Sequence, residues 1–256
     1  MKGSLLYAFL YKEFKTLKAS KSVFFMSVFY TPFFIFFFTY FVYPFLVPPK
    51  ALPDLYQSGL LFVITYPILV IAFMNIGTGI VLEYFFGVAL KMRTLPISIG
   101  RELEGKMLTH ALMSASTIIM GVAGLKLAAA LRGVTFSLGM PGPVVLSILF
   151  FFLSSEALAF PIAAFTKGRI QVYNFLAVIF INVLPFISGM FLPLHLFPTW
   201  MQKVNSYNPF AAPYVLYNQV VFQGKAPSIS YLFLLSLISL LLFWIGSYFY
   251  KKSRLA

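Results

Sequence analysis

Six apolar runs, each about as long as a membrane-spanning helix, take up most of this chain. A helix needs roughly 20 apolar residues to cross the hydrocarbon core of a bilayer. Because 61% of the residues are hydrophobic and only 10% are charged, a soluble fold would lack the polar residues to cover its surface. The sequence therefore predicts an all-α integral membrane protein, a single domain over residues 1–256 with six transmembrane helices. The predicted spans are 23–46, 59–82, 107–131, 143–165, 172–192 and 229–250.

The Lys and Arg residues indicate how these helices are oriented, because such residues concentrate in cytoplasmic loops. Fourteen of the 19 fall on one side of the predicted topology: in the N-terminal segment, the loops after the second and fourth spans, and the C-terminal tail. We therefore predict a multi-pass protein of the cytoplasmic (inner) membrane with both termini in the cytoplasm. The net charge of +13 follows from this asymmetry and favours contact with anionic membrane lipids, so it requires no nucleic-acid partner.

The first 22 residues predict a separate helix that lies in the plane of the membrane interface. Leu6, Phe9 and Leu10 belong to an apolar set at helical spacing, and lysines occupy the other faces. Two interpretations remain open for this interfacial helix, residues 1–22. It is either a simple membrane anchor or part of a docking surface for a cytoplasmic partner.

Prolines break the segment that precedes the last span. Each proline removes a backbone donor and ends a helix. Backbone without hydrogen bonds cannot face lipid, so we predict that residues 193–210 fold back at the outer surface as a re-entrant hairpin of short helices. The candidate residues of this external hairpin gate are Phe191, Pro193, Pro198, Trp200, Asn208 and Pro209.

A charged loop, residues 83–106, joins the second and third spans on the predicted cytoplasmic side. Apolar residues such as Phe85 and Phe86 alternate there with charges, and Pro96 follows them. This pattern favours a short amphipathic helix that presents charges to the cytoplasm and anchors its apolar face to the helix bundle. An ordinary basic loop is the alternative.

The same loop contains most of a phosphate-binding motif, in Gly100, Gly105 and Lys106. Met107 stands where that motif needs a hydroxyl group for magnesium, and no apolar strand precedes it. We therefore expect no nucleotide site in this chain. Since the chain also has no cysteine, it offers no thiolate metal site, and we expect no catalytic, cofactor or metal site.

Glu156, in the fourth span, is the strongest polar candidate inside the membrane, where a charge is costly. It either pairs with a cation, stays protonated and hydrogen-bonded, or lines a wet transport path. The two histidines do not suggest a metal pair, because His110 begins the third span and His195 lies in the external hairpin. We expect each of them to be a polar residue of the membrane interface.

The two loops together resemble those of ABC-2-type transporter permeases. In the loop 83–106 the similarity rests on Glu83, Gly87, Leu95, Pro96 and the Gly105–Lys106 pair. In the hairpin it rests on a small pair before Phe191, on Pro193, Pro198 and Trp200, and on Asn208, Pro209 and Phe210. The order of elements is similar over nearly the whole chain.

The resemblance implies the permease subunit of an ATP-binding-cassette exporter, which moves a drug, a lipid or another hydrophobic or amphipathic cargo outward. ATP and magnesium would be bound by a separate cytoplasmic ATPase subunit, and the permease would work as a homodimer or with a related permease. The hairpin would close the outer exit. The residues that couple to the ATPase would be Glu83, Gly87, Leu90, Arg93, Leu95 and Pro96.

The sequence departs from the resembled permeases at one place. Many of those permeases carry an arginine near the start of the last span, where this chain has Tyr217, Asn218 and Gln219.

Other classes of protein stay open. A polysaccharide-exporting permease is a further alternative, although the N-terminal segment lacks the tryptophans associated with that group. An autonomous channel or secondary carrier would need no ATPase, but it would typically have broken helices in both halves. An intramembrane enzyme would need a cluster of reactive side chains at one depth.

Overall fold

The computed structural model describes residues 11, 15, 29, 31–46, 48–93, 98–191, 194 and 197–255. Every regular element within these ranges is a helix, in agreement with the predicted fold class. The predicted interfacial helix, residues 1–22, lies outside the described residues except for Tyr11 and Lys15.

Two of the first three helices contain a wider π-helical segment. Helix α1 consists of Thr31–Phe37, the π-helical Phe38–Val42, and Tyr43–Leu46. A single 3-10 turn, Pro49–Ala51, leads into helix α2. Helix α2 consists of Leu52–Val70, the π-helical Ile71–Gly77, and Thr78–Phe85. Helix α3 is short and spans Val88–Arg93.

The described residues after α3 form four long α-helices and two short ones. The long helices are α4 (Ile99–Leu131), α5 (Gly142–Phe165), α6 (Ile170–Ile187) and α9 (Ile229–Leu255). Two short helices lie between α6 and α9: α7 (Thr199–Asn205) and α8 (Ala212–Tyr217). The π-helical segment Asn218–Phe222 extends α8.

Within the described residues, five helices are long and apolar enough to cross a membrane: α2, α4, α5, α6 and α9. They correspond to the second through sixth predicted spans. The described part of the first predicted span, 23–46, contains the shorter apolar helix Thr31–Phe45, and most of the remainder lies outside the described residues. The structure therefore supports a multi-pass helical membrane protein.

Helix α4 starts earlier than the apolar run predicts, at Ile99 instead of residue 107. Ser98 caps its first turn, because the Ser98 side chain accepts a hydrogen bond from the Arg101 backbone N–H at 3.3 Å. Glu102 lies in that turn, where a negative charge stabilises the helix dipole. Charged residues that the hydropathy pattern assigned to a loop therefore belong to the helix.

Helix α2 lies at the centre of the bundle. In the most apolar 18-residue stretch of α2, 78% is buried inside the protein, compared with 22% for the same length of α6 and 17% for that of α9. Large apolar side chains on these two outer helices are exposed, among them Phe175 on α6 and Phe233 and Trp244 on α9. An apolar surface of this extent fits contact with lipid.

Helices α5 and α9 cross with their backbones close together. A Cβ atom at Gly246 would meet the backbone of Ala157, with the Ala157 Cα atom 2.8 Å away. Near the end of α9, the Ser253 hydroxyl donates to the Ala164 carbonyl at 3.0 Å. We call this end of the bundle, where α2 ends, α4 begins and α9 ends, the charged end. The opposite end, with α7 and α8, is the hairpin end.

Candidate functional site

Four charged side chains are buried where α2, α4 and α9 meet at the charged end. They are Glu83 of α2, Glu102 and Lys106 of α4, and Arg254 of α9, each no more than 8% exposed. Lys106 Nζ lies 2.9 Å from Glu83 Oε1 and 3.9 Å from Glu102 Oε1. Arg254 Nη2 lies 2.5 Å from Glu83 Oε2 and also pairs with Glu102 Oε1. We call these four residues the ion cluster.

The ion cluster balances its charges and extends into a tyrosine. Two carboxylates face two cations, so the buried charges are paired as burial requires. The Tyr250 hydroxyl donates to Glu102 Oε1 at 2.7 Å and accepts from Arg254 Nε at 3.1 Å. Removing one member of such a set leaves an unpaired charge in an apolar interior. The cluster therefore ties three helices together at one point.

This geometry differs from what the sequence predicts for Glu83. The loop pattern favours charges that face the cytoplasm, yet the Glu83 carboxylate is buried against Lys106 and Arg254. The phosphate-loop-like segment is also helical, because Gly100, Gly105 and Lys106 all lie within α4.

A short helix does occupy the middle of the predicted coupling loop. Gly87 has φ of +68°, in the left-handed region that glycine tolerates, and it separates α2 from α3. Helix α3, which includes Leu90 and Arg93, packs against the last turns of α2 and against α9. The other two candidate coupling residues, Leu95 and Pro96, lie outside the described residues.

Two exposed phenylalanines lie next to α3. Phe85 is 60% exposed and Phe86 is 70% exposed, and their rings meet edge to face with centroids 5.2 Å apart. The sequence predicts that they anchor the loop to the bundle, which the exposure contradicts. They instead form an apolar patch at the charged end, where Phe85 follows Glu83 by two residues.

A second buried polar site lies in the interior of the bundle. Glu156 of α5 and His110 of α4 are both fully buried, and Glu156 Oε1 pairs with His110 Nδ1. His110 Nε2 lies 2.9 Å from the Ile68 carbonyl oxygen of α2. Of the three alternatives for Glu156, the structure places the side chain in a pair with His110. The expectation that His110 is an interface residue is wrong.

The hydrogen-bond partners determine how many protons this pair holds. A carbonyl oxygen only accepts, so His110 Nε2 carries a hydrogen and donates it to Ile68. The contact between Nδ1 and Glu156 then requires one further proton, which lies on one or the other of the two side chains. Among the described residues, none hydrogen-bonds to the second oxygen of Glu156, Oε2, which is buried. The two buried side chains therefore share one proton.

The π-helical segment of α2 lies beside this pair. The Tyr173 hydroxyl of α6 donates to the Phe73 carbonyl within the segment at 2.5 Å. Gly77 makes room for that hydroxyl, since a Cβ atom there would meet the Tyr173 ring. Side chains from α4 and α6 therefore hold two carbonyl groups in or next to the widened turn of α2. Such π-helical turns are frequent at functional sites.

Among its described residues, the predicted hairpin, 193–210, contains one short α-helix, α7, and α8 begins just beyond it at Ala212. Pro198 precedes the first turn of α7, and the Asn208 side chain accepts a hydrogen bond from the Phe210 backbone N–H at 3.0 Å. Pro209 is buried, and Trp200 is 66% exposed. Pro193 and His195 lie outside the described residues.

Phe191 connects the hairpin to the spans. Its ring lies 5.4 Å from that of Phe62 in α2 and 5.0 Å from that of Phe186 in α6. The Asn205 side chain also reaches back, and it donates to the Ile187 carbonyl at 2.7 Å. Phe191 and Asn205 therefore both pack the hairpin region onto the bundle.

Sequence reasoning missed the roles of Glu102, Lys106 and Arg254. One signal for them was available, because Glu102 and Lys106 are four residues apart and fit an acid–base pair on one helix face. Arg254 offered no such signal, since its partners lie far away in sequence.

No family model matches this sequence, and no curated protein matches it.

Proposed function

We propose that this chain is the permease subunit of an ATP-driven exporter, with the charged end in the cytoplasm and a hydrophobic or amphipathic cargo moving outward. A separate subunit would bind ATP and magnesium and would dock at the charged end. Two permeases, identical or related, would form the membrane part. The observation that carries the proposal is the position of α3, a short helix set off by Gly87 beside the ion cluster.

This position suits the transmission of force. A partner that pushes on α3 acts on the end of α2 and on α9, which α3 contacts. The ion cluster ties these two helices to α4 through buried pairs. Because breaking such a pair leaves a buried charge, the three helix ends are expected to move together. The exposed Phe85 and Phe86 give the partner an apolar contact beside α3.

The charge distribution supports the same orientation. Lys91, Arg101 and Lys252 belong to the larger group of basic residues at the charged end, and basic residues favour the cytoplasmic side. The charged end is therefore the side on which a cytoplasmic ATPase would meet this chain, in the cytoplasmic membrane that we predict for it.

Co-purification tests the proposal. The tagged chain is expressed with candidate ATP-binding subunits from the same genome, and the product is assayed for a stoichiometric complex that hydrolyses ATP in liposomes. We expect such a complex for the unchanged chain and for Phe86→Leu, which keeps an apolar side chain. Phe86→Glu should lose the partner while the chain still folds, because Phe86 is 70% exposed. Failure of every candidate subunit to bind would reject the permease.

One observation favours a second function, a secondary carrier coupled to protons. The His110–Glu156 pair is hydrogen-bonded inside the bundle, and buried acidic residues and histidines in membranes mark proton relays. The chain alone in liposomes would then move protons under an imposed pH gradient, recorded with an internal pH dye. Glu156→Gln would abolish this flux. A chain that moves no protons without an ATPase would exclude the carrier.

A further inference from the structure

A cavity of about 360 Å³ opens at the hairpin end of the bundle. It lies between α1, the first half of α2, the turn that follows α6, and α8 with its π-helical extension. Sites for small molecules in proteins usually measure about 300–1,000 Å³ and are mostly apolar. The apolar part of the wall includes Phe38, Leu61, Phe62, Met190, Phe191 and Phe222. The cavity therefore has the size and the lining of a ligand site.

The only charged residue among the described residues of the wall is acidic. Asp54 lines the cavity, and no Lys or Arg is among the described residues of the wall. Asp54 is exposed, and no cation lies within ion-pair distance of it in the part of the chain that the structure describes. A single unpaired carboxylate at the edge of an aromatic chamber favours a ligand with one positive charge.

Tyrosine rings add to this preference. Tyr43, Tyr214 and Tyr217 line the cavity, and the Tyr217 hydroxyl donates to the Gln57 carbonyl at 3.1 Å. Burial raises the pKa of Tyr217 more than the hydrogen bond with Gln57 lowers it, and the nearby carboxylate of Asp54 raises it too. The phenol therefore stays neutral. Neutral aromatic faces attract cations, most strongly when water is excluded.

The wall also uses two of the widened helical segments. Phe38 belongs to the π-helical segment of α1, and Asn218 and Phe222 belong to the one that extends α8. A π-helical turn is rare and is found frequently at functional sites. Two such turns face the same cavity, which is a separate indication that the cavity has a function.

We propose that this cavity binds an amphipathic cation, with its positive charge beside Asp54 and its apolar body among the aromatic rings. If the cavity holds the cargo, the substrates of the exporter would be amphipathic cations. This cargo role rests on the proposed transport function. Binding itself does not depend on that function.

Binding of a charged probe and its uncharged isostere tests this assignment. The probes are radiolabelled 4-phenylbutyl-trimethylammonium and the matching compound with a tert-butyl group in place of the ammonium group. The full chain is placed in lipid nanodiscs without any ATPase subunit, and binding to empty nanodiscs is subtracted. We expect the cation to bind about fivefold more tightly than its isostere.

Three variants separate the charge from the cavity. Asp54→Asn should remove the fivefold preference and leave the affinity for the isostere unchanged, whereas Asp54→Glu should keep the preference. Ser58→Trp should block both probes, because Ser58 lines the cavity. Thermal unfolding shows which variants are folded.

Equal affinities of the two probes for the unchanged chain, or a preference that survives in Asp54→Asn, would overturn the proposal. So would unaltered binding to folded Ser58→Trp. The binding assay contains no ATPase, so it tests the cavity independently of the transport function. If the chain binds the cation but no ATPase subunit, the permease proposal is rejected and the cation site is not.

Discussion

Arg254 and Glu83 are 171 residues apart in the sequence, yet Arg254 Nη2 lies 2.5 Å from Glu83 Oε2 in a buried ion pair. The pair joins the last turn of α9 to the last turns of α2. It belongs to the ion cluster with Glu102 and Lys106, so side chains from the two halves of the sequence meet at one electrostatic centre. Stability and coupling at the charged end are therefore expected to depend on the same side chains.

Replacing Arg254 with Met should destabilise the protein strongly. The change leaves two buried carboxylates against one remaining cation, and breaking a buried pair typically costs about 3–5 kcal/mol. The free energy of unfolding in detergent measures the effect. Lys252→Met is the matched control, because Lys252 is exposed on the same helix end and should change stability little. Equal losses in the two variants would contradict a structural role for the ion cluster.

His110 and Glu156 should show strong coupling in a double-mutant cycle. Glu156→Leu leaves His110 Nδ1 without its partner, and His110→Phe leaves a buried carboxylate alone. The variant with both changes has neither defect. We therefore expect the double variant to lose about 0.5–3 kcal/mol less stability than the sum of the two single variants. Strict additivity of the three unfolding free energies would show that the pair does not interact.

Two neighbouring glycines of α2 should respond in opposite directions to alanine. A Cβ atom at Gly77 would displace Tyr173 from its hydrogen bond with the Phe73 carbonyl, so Gly77→Ala should cost about 1–3 kcal/mol. A Cβ atom at Gly79 would meet nothing within 4 Å, so Gly79→Ala should stabilise the helix by about 0.5–1 kcal/mol. Thermal unfolding of both variants decides the matter, and a stabilised Gly77→Ala would contradict the close contact with Tyr173.

Gly246→Ala should force α5 and α9 apart. The new Cβ atom would meet the backbone of Ala157, which cannot rotate away as a side chain does. We expect a loss of at least about 1–3 kcal/mol in the free energy of unfolding. Ser247→Ala is the control, since the Ser247 hydroxyl is buried without a hydrogen-bond partner in the described part of the chain and its loss should be nearly neutral. Similar stability of the two variants would argue against close packing at Gly246.

The sequence predicted the spans better than it predicted the polar interior. The apolar runs located the five described helices that are long and apolar enough to cross a membrane. They could do so because the transfer of a helix from water to lipid depends on the residues of that helix alone. The sequence placed the start of this span at residue 107, whereas α4 begins at Ile99. The difference arose because hydropathy treats Glu102 and Lys106 as water-exposed, although each is buried with a partner. Pro198 directly precedes α7, and Pro209 lies between α7 and α8. The sequence could indicate these helix breaks because the loss of a backbone donor is a local effect.

The sequence by itself determined that this chain is helical and apolar enough to cross a membrane several times, and where its charges concentrate. Only the tertiary structure decided that Glu83 meets Arg254, that His110 meets Glu156, and that Asp54 stands beside an aromatic cavity. Hydropathy and helix breaking depend on consecutive residues, so the sequence contains them directly. The pairing of buried charges depends on which helices become neighbours, and that follows from the packing of the whole bundle.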